Sequence, residues 1–222
     1  RMKKLVIFGL GELAELADFF FTNDSPYEVV AFTVDGKYLD KDKFRGRPVV
    51  AFESLFASYP ADEYSLFITI GYVRLNSIRR AKFDHAKQLG YKMASYISSK
   101  THYWEGMDIG ENSIIMEANI IQPFSKIGDN VIIWNNSVIS HHVEIKNHCF
   151  IASGAVICGG VVIGEESFLG VNCTIREHVK IGDQNLIGAG ALVLHDTLNG
   201  SAYLSKATER AEIPINRIWL ML

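Results

Sequence analysis

The sequence predicts an α/β plus all-β chain, a small Rossmann-like N-terminal domain followed by a left-handed parallel β-helix. Three observations carry that reading. Every sixth residue from Ile109 to Val193 is aliphatic, at all fifteen positions. Four residues after most of these comes a small or modest side chain, such as Ser113, Val131, Cys149, Ala155 or Cys173. Ahead of the repeat, short apolar runs alternate with helix-compatible stretches, the pattern of a parallel sheet.

Taken in order, Lys4–Phe8 is expected as a buried strand, and Gly9-Leu10-Gly11-Glu12-Leu13-Ala14 leads into a helix over Glu12–Phe21. Glu28–Val34 reads as a second strand ending in Asp35-Gly36, and Ser65–Ile70 as a third ending in Gly71-Tyr72. Leu75–Leu89 reads as a helix, so the unit is expected to hold about three or four strands. The expected domains are residues 1–100, 101–198 and a C-terminal tail, 199–222.

A six-residue period suits neither an amphipathic helix nor simple strand alternation. It suits a coil with three flat faces, one hexad to a face. The aliphatic residue points inward and stacks on its counterpart a full coil away. The smaller residue fills the tighter part of the interior, and Gly, Asn or Asp is expected at corners that need φ > 0. Gly also follows the aliphatic residue directly at Gly110, Gly128, Gly164, Gly170, Gly182 and Gly188. Fifteen hexads at three to a turn make about five coils.

Composition narrows the function classes. A chain of 222 residues, 48% hydrophobic, can bury real cores. A formal net charge of −3 gives no reason to expect nucleic acid or an anionic membrane as partner. No apolar run reaches the roughly 18–20 residues of a membrane span. The three cysteines (Cys149, Cys158, Cys173) have no zinc or disulfide spacing and read as reduced core-type residues of a cytoplasmic protein. Lys3–Gly9 reads as a strand after a short basic lead, not a signal peptide, and Arg1 before Met2 as a tag remnant. No His, Asp or Glu cluster has metal-ligand spacing, and the adjacent His141 and His142 are expected to point apart.

The chemistry-bearing residues fall in both parts. Gly9-x-Gly11-x-x-Ala14, between strand and helix, is a degenerate phosphate-binding fingerprint: glycines allow close backbone approach, and a helix N-terminus offers free N–H groups. Glu12 works against an anion there. A nucleotide-sugar is therefore expected at the strand ends, with Gly9, Gly11, Asp35, Gly36, Gly71, Tyr72 and Arg74 around it. Asp35 is placed to accept from sugar hydroxyls, Tyr72 to stack on a base, and Arg74 to meet a pyrophosphate or simply start a helix in solvent.

The order of these two parts resembles the sugar O-acyltransferase family, which includes sialic-acid O-acetyltransferases and the N-acetyltransferases of bacillosamine and perosamine nucleotide-sugars. The resemblance spans essentially the whole chain. It is sharpest over Asn136-Ser137-Val138-Ile139-Ser140-His141-His142, Ser153-Gly154-Ala155, Gly159-Gly160-Val161, Phe168-Leu169-Gly170-Val171-Asn172 and Leu186-Ile187-Gly188-Ala189-Gly190. It implies that His141 is the catalytic base and that the Gly159 N–H meets the acetyl oxygen. It implies further that Gly160, Val171, Asn172, Ala189 and Gly190 line the acetyl-CoA arm, and that Asn136 faces the acceptor sugar. It implies a homotrimer with active sites at subunit interfaces and no metal.

The chemistry is compatible with those roles. Acetyl transfer from a thioester needs a proton acceptor near neutral pH, which an imidazole can be. A backbone N–H at the thioester oxygen stabilises the oxyanion by about 3–4 kcal/mol. The expected activity is N-acetylation of a nucleotide-linked (UDP or dTDP) 4-amino-4,6-dideoxy sugar for surface polysaccharide. The alternatives are O-acetylation of a sialic acid or other sugar, and a non-catalytic sugar-nucleotide-binding trimer. Two features depart from the family pattern. His142 stands where many relatives have Asp or Glu, leaving open whether Glu144, a backbone carbonyl or nothing orients His141. The tail also lacks the usual closing turn, and its apolar end, Ile218-Trp219-Leu220-Met221-Leu222, is expected to pack on the prism or a neighbour.

Overall fold

Apolar runs at the start of the chain build a six-stranded sheet in the computed structural model, which describes residues 2–210 and 212. Its elements are β1 (Lys3–Phe8), α1 (Glu12–Asn23), β2 (Tyr27–Val34), β3 (Lys43–Phe44), β4 (Arg47–Ala51), α2 (Leu55–Ser58), β5 (Tyr64–Ile68), α3 (Ser77–Gln88) and β6 (Lys92–Met93). The strand order is β3-β4-β2-β1-β5-β6, parallel except for the β3–β4 hairpin. Three or four strands were expected; the extra ones are short. β3 and β4 are joined by Arg45-Gly46, both at positive φ, a tight turn flanked by charged residues that hide the strand signal. The third helix begins at Ser77 and not at Leu75, because Arg74, Leu75 and Asn76 all take positive φ and cannot continue a right-handed helix.

From Asp108–Ile109 to Leu192–Val193 run fifteen two-residue strands, each ending in one of the fifteen aliphatic residues. They pair in parallel with the strand eighteen residues away, as Ile109↔Ile127↔Ile145. Two faces hold five strands each. The third holds seven, because Tyr96–Ile97 precedes it and Ala202–Tyr203 extends it. The aliphatic column and the smaller second column form one continuous core. Serine is admitted to that core because its hydroxyl is fully used: Ser113 Oγ donates to Gly128 O at 2.8 Å and accepts from Val131 N at 3.0 Å. Cys149 and Cys173 lie in the core, where burial pushes both thiols up to about 12, so they are inert; Cys158 is half-buried.

The corners differ from expectation. Positive φ recurs every sixth residue from Asn112 to Gly190, but glycine holds only Gly154, Gly160 and Gly190, and Asp holds none. Asn and His take most of the others, and Ala118, Phe124, Glu166 and Gln184 the rest. The glycines after the aliphatic residues answer a different need. A Cβ on Gly164 would lie 2.5 Å from Asp183 N, so these positions are set by the close approach of the next coil.

The residue just before each aliphatic one points outward, and sorting these residues by face separates three surfaces. One face carries Asp108, Lys126, Glu144, Val162 and Lys180 and is largely solvated. A second carries Ile114, Ile132 and Phe150, all buried, with Phe168 and Leu186 half-buried. The β1–β2–β5 sheet and α1 cover it in a shared core with Leu5, Phe21, Phe32 and Phe67. The third carries Ile120, Val138, Val156, Thr174 and Leu192, and it remains open, with Ile120 46% and Leu192 64% exposed.

The α/β unit is also clamped to one prism edge. Arg79 on α3 is fully buried and has no carboxylate partner among the described residues; its guanidinium donates to Gly71 O (2.8 Å), Asn76 Oδ1 (2.9 Å), His148 O (3.0 Å), Cys149 O (3.0 Å) and Asn130 O (3.2 Å). Burial draws it down to about 10, so it stays charged at neutral pH. Along the same edge Asn112 Nδ2 donates to Asn130 Oδ1 (2.8 Å) and Asn130 Nδ2 to His148 Nδ1 (2.9 Å). Asn112 Oδ1 accepts from Ile68 N at 2.7 Å.

Two outcomes follow for stability. Arg79→Met leaves buried carbonyls without donors and should cost about 2–5 kcal/mol in urea unfolding, while Lys87→Met, at an exposed ion pair with Glu111, should cost under about 1 kcal/mol. Burial first, then the charge of Arg80, holds His148 below its ordinary value of 6.5. A depressed folded value means the unfolded chain binds the extra proton first. The contribution of neutral His148 is therefore complete above about 6.5 and lost as pH falls further. The melting temperature should drop between pH 7 and 5, and His148→Asn should flatten that slope.

Candidate functional site

Each coil turns at three edges, and the candidate residues separate by edge. The first edge, through Asn112, Asn130 and His148, is the one clamped by Arg79. The second, through Asn136, Gly154, Asn172 and Gly190, carries Asn136, Val171, Asn172, Ala189 and Gly190. The third, through Phe124, His142, Gly160 and His178, carries His141, Gly159 and Gly160. The open apolar face lies between the second and third edges, since its strands join one to the other.

On the third edge His141 and Gly159 stand one above the other, eighteen residues apart. The His141 N–H is held by Gln122 Oε1 at 2.9 Å, and its carbonyl accepts from Gly160 N at 3.0 Å. The exposed imidazole reaches the coil above. A Cβ on Gly159 would sit 2.6 Å from His141 Cε1 and 2.7 Å from Nε2, so only glycine leaves the ring in place. Gly160 is covered in the same way by the ring of His178. On the first edge the equivalent N–H groups, Glu111 and Glu165, donate to Asp129 and Asp183 one coil on. Among the described residues nothing accepts the Gly159 N–H. An imidazole nitrogen and a free backbone donor thus meet at one open place.

His141 and His142 do not point apart, as their adjacency suggested. With His142 at positive φ the two rings turn toward each other, and Nδ1 meets Nδ1 at 3.1 Å with the planes at 84°. Phe124, one coil below, lies against His142, with ring centroids 4.8 Å apart. The Glu144 side chain makes no hydrogen bond or ion pair among the described residues. Beside these rings Trp104, Met107, Gln122, Pro123, Phe124 and Lys126 border a cleft of about 430 Å³.

The α/β candidates gather elsewhere. Gly9, Gly11, Asp35, Gly36, Gly71 and Tyr72 follow the carboxyl ends of β1, β2 and β5, which are neighbours in the sheet. Gly9 sits at φ 126°, and a Cβ there would collide with the Thr69 hydroxyl. Gly11 caps α1 without a side-chain bond, and Glu12 and Glu15 occupy the first turn. Asp35 is paired with Lys82, and the Gly36 N–H donates to Glu53 Oε2 at 2.9 Å. The Tyr72 ring rests on Phe150 and Phe168, at 5.1 and 5.0 Å, and Arg74 is exposed. This group and His141 lie on different sides of the prism. Among the described residues no helix could cross a membrane, and no three His, Cys, Asp or Glu side chains gather as metal ligands. The apolar end 218–222 lies outside the described residues.

Two features escaped the reading of the sequence. The open apolar ladder shows only when outward residues are sorted every eighteenth, not every sixth. The contact between His141 and His142 depends on the positive φ of His142, which histidine does not announce.

Comparison with known proteins agrees with this architecture. The family model described as bacterial transferase hexapeptide (six repeats) matches residues 106–141, 124–159, 142–176 and 160–195. Among curated proteins no sequence match is found. PerB from Caulobacter crescentus, solved with CoA and GDP-perosamine, is 25% identical with a TM-score of 0.81 and covers 92% of this chain and 95% of its own. The acetyltransferase domain of PglB from Neisseria gonorrhoeae FA1090 is 24% identical with a TM-score of 0.82, covering 91% and 97%; it has also been solved with acetyl coenzyme A. WeeI from Acinetobacter baumannii AYE is 23% identical with a TM-score of 0.66, covering 92% and 97%.

Proposed function

We propose that this chain, an acyltransferase carrying the bacterial transferase hexapeptide repeat over residues 106–195, moves the acetyl group of acetyl-CoA to the amino group of a nucleotide-linked 4-amino-4,6-dideoxy sugar. The observation that carries the reading is the open third edge, where the His141 imidazole lies against a glycine whose N–H has no partner among the described residues. Likeness to PerB over nearly the full length of both chains supports it, because PerB was solved with both a CoA and a nucleotide-linked amino sugar. The same transferase has been solved with one histidine replaced by asparagine or alanine.

In this reading the neutral amine attacks the thioester carbonyl and His141 Nε2 takes its proton. The Gly159 N–H holds the oxyanion, and CoA leaves as the thiol once the proton is passed on. Gly160, Val171, Asn172, Ala189 and Gly190 receive the CoA arm. Residues 1–100 form the Rossmann-like unit that holds the nucleotide at Gly9, Gly11, Asp35, Gly36, Gly71, Tyr72 and Arg74. Residues 101–198 carry the transfer, and Asn136 faces the sugar. The α/β unit covers the face between the first and second edges, whereas His141 stands on the third, so a nucleotide held by one subunit is served by the His141 of the next. The homotrimer this requires is supported by the open ladder of Ile120, Val138, Val156 and Leu192. The product is an N-acetylated sugar for surface polysaccharide, made in the cytoplasm where both substrates occur.

The test is an acceptor screen with acetyl-CoA and a thiol reagent, offering UDP-, dTDP- and GDP-linked 4-amino sugars and free sialic acid. Thiol release with one of the nucleotide-linked amines is expected; release with sialic acid alone would overturn the N-acetyl reading, and release with none would favour a binding scaffold. His141→Ala should then slow turnover about 100-fold or more. The ladder is checked separately: Val156→Glu places a carboxylate in its centre and should convert a trimer to monomer in sedimentation. A trimer that survives this change would exclude that face as the interface.

A further inference from the structure

We infer that His142 is the positioning residue that fixes the tautomer of His141. The inference rests on the reading of His141 as general base. Two imidazoles meeting Nδ1 to Nδ1 at 3.1 Å share a single proton, so one ring donates and the other accepts. The geometry favours donation by His141. Its other edge, Cε1 and Nε2, is the one turned to Gly159 and its free N–H, and Nε2 can take a proton only if the ring's own proton is on Nδ1. His142 then accepts at Nδ1 and keeps its hydrogen on Nε2, toward solvent.

Two further observations fit this assignment. No carboxylate bonds to either ring among the described residues, and the side chain that meets His141 Nδ1 is His142. Phe124 occupies a positive-φ corner, 74% exposed, where a bulky side chain is strained and gains no burial. What its ring does there is lie against His142 at 4.8 Å and 37°. The three rings form a buttress whose last member faces the acetyl site.

The proton inventory of the step closes. The carbon–nitrogen bond forms and the carbon–sulfur bond breaks. The amine proton moves to His141 Nε2 while the Nδ1 proton stays bonded to His142, and the imidazolium returns a proton to the departing sulfur. An imidazole acceptor orients the imidazolium without the attraction a carboxylate would add.

The experiment pairs kinetics with a direct view of the tautomer. His142→Ala should lower kcat about 10-fold or more with KM for both substrates within about 2-fold, and His142→Asp, which returns an acceptor, should restore most of kcat. In histidine-selective ¹⁵N spectra of the whole protein, His141 should carry its hydrogen on Nδ1, and in the His142→Ala variant it should shift toward the Nε2–H form. A His142→Ala enzyme with unchanged kcat, or an Nε2–H tautomer in the unmodified protein, would overturn the role of His142. Full activity in His141→Ala would instead remove the base itself, whatever the spectra show. Equal melting temperatures for the variants identify a kcat loss as positional; a His142→Ala variant that melts lower and is not restored by Asp would make His142 merely structural.

Discussion

The stacking of each coil on the one below is the constraint on which the rest of the molecule depends. Residue follows residue at intervals of eighteen, tied by parallel hydrogen bonds such as Ile114 N to Val131 O at 2.9 Å. Inside, an aliphatic side chain therefore always meets its own kind, and each burial contributes about 1.5–3 kcal/mol. Outside, the same arithmetic gathers residues far apart in sequence into straight columns. Charge collects on one face, and apolar side chains on the other two. One of these is covered by the α/β unit in a shared core, and one stays open. His141 comes to face Gly159 for the same reason: they are one coil apart.

Rigidity on the prism is matched by a buried junction. Arg79 carries a charge into the interior with only carbonyl and amide oxygens to meet it, and those oxygens belong both to the 70–76 turn and to the prism edge. Neither part can shift without stranding donors or acceptors, and stranded buried groups are costly. The turn that bears Tyr72 and Arg74 is thus fixed with respect to the coils. Asn76 adds to this, reaching Glu166 O and Ser167 O at 3.1 and 3.2 Å.

Much of this was legible from the chain. The fifteen aliphatic positions marked fifteen strands without an error, because an interior column tolerates no polar residue without a partner. The ends of β1 and β2 were visible in Gly9 and Asp35-Gly36, while β5 stops at Ile68, two residues before the expected Ile70. The short hairpin β3–β4 was not visible, since the two residues of β3 leave no period to detect and charged residues flank the turn. The corners were misread because positive φ at these turns is imposed by coil closure, and Phe124 or Glu166 can be forced into it. The pairing of Asp35 with Lys82 and of His141 with His142 depends on side-chain directions that residue spacing alone does not convey. The roles of the candidate residues rest on chemistry and resemblance, and geometry adds the company each one keeps.

The three-faced coil also limits how a gene for such a protein can change length. Adding or removing a whole coil, eighteen residues, lifts one storey and leaves every column in line. Adding a single hexad preserves the interior equally well, yet it turns everything beyond it by a third of a revolution. The covering unit would then lose its apolar seat, the open ladder would be split between two sides, and the histidine edge would no longer sit beneath its glycine. Lengthening in this architecture is therefore quantised by its surface and not by its core.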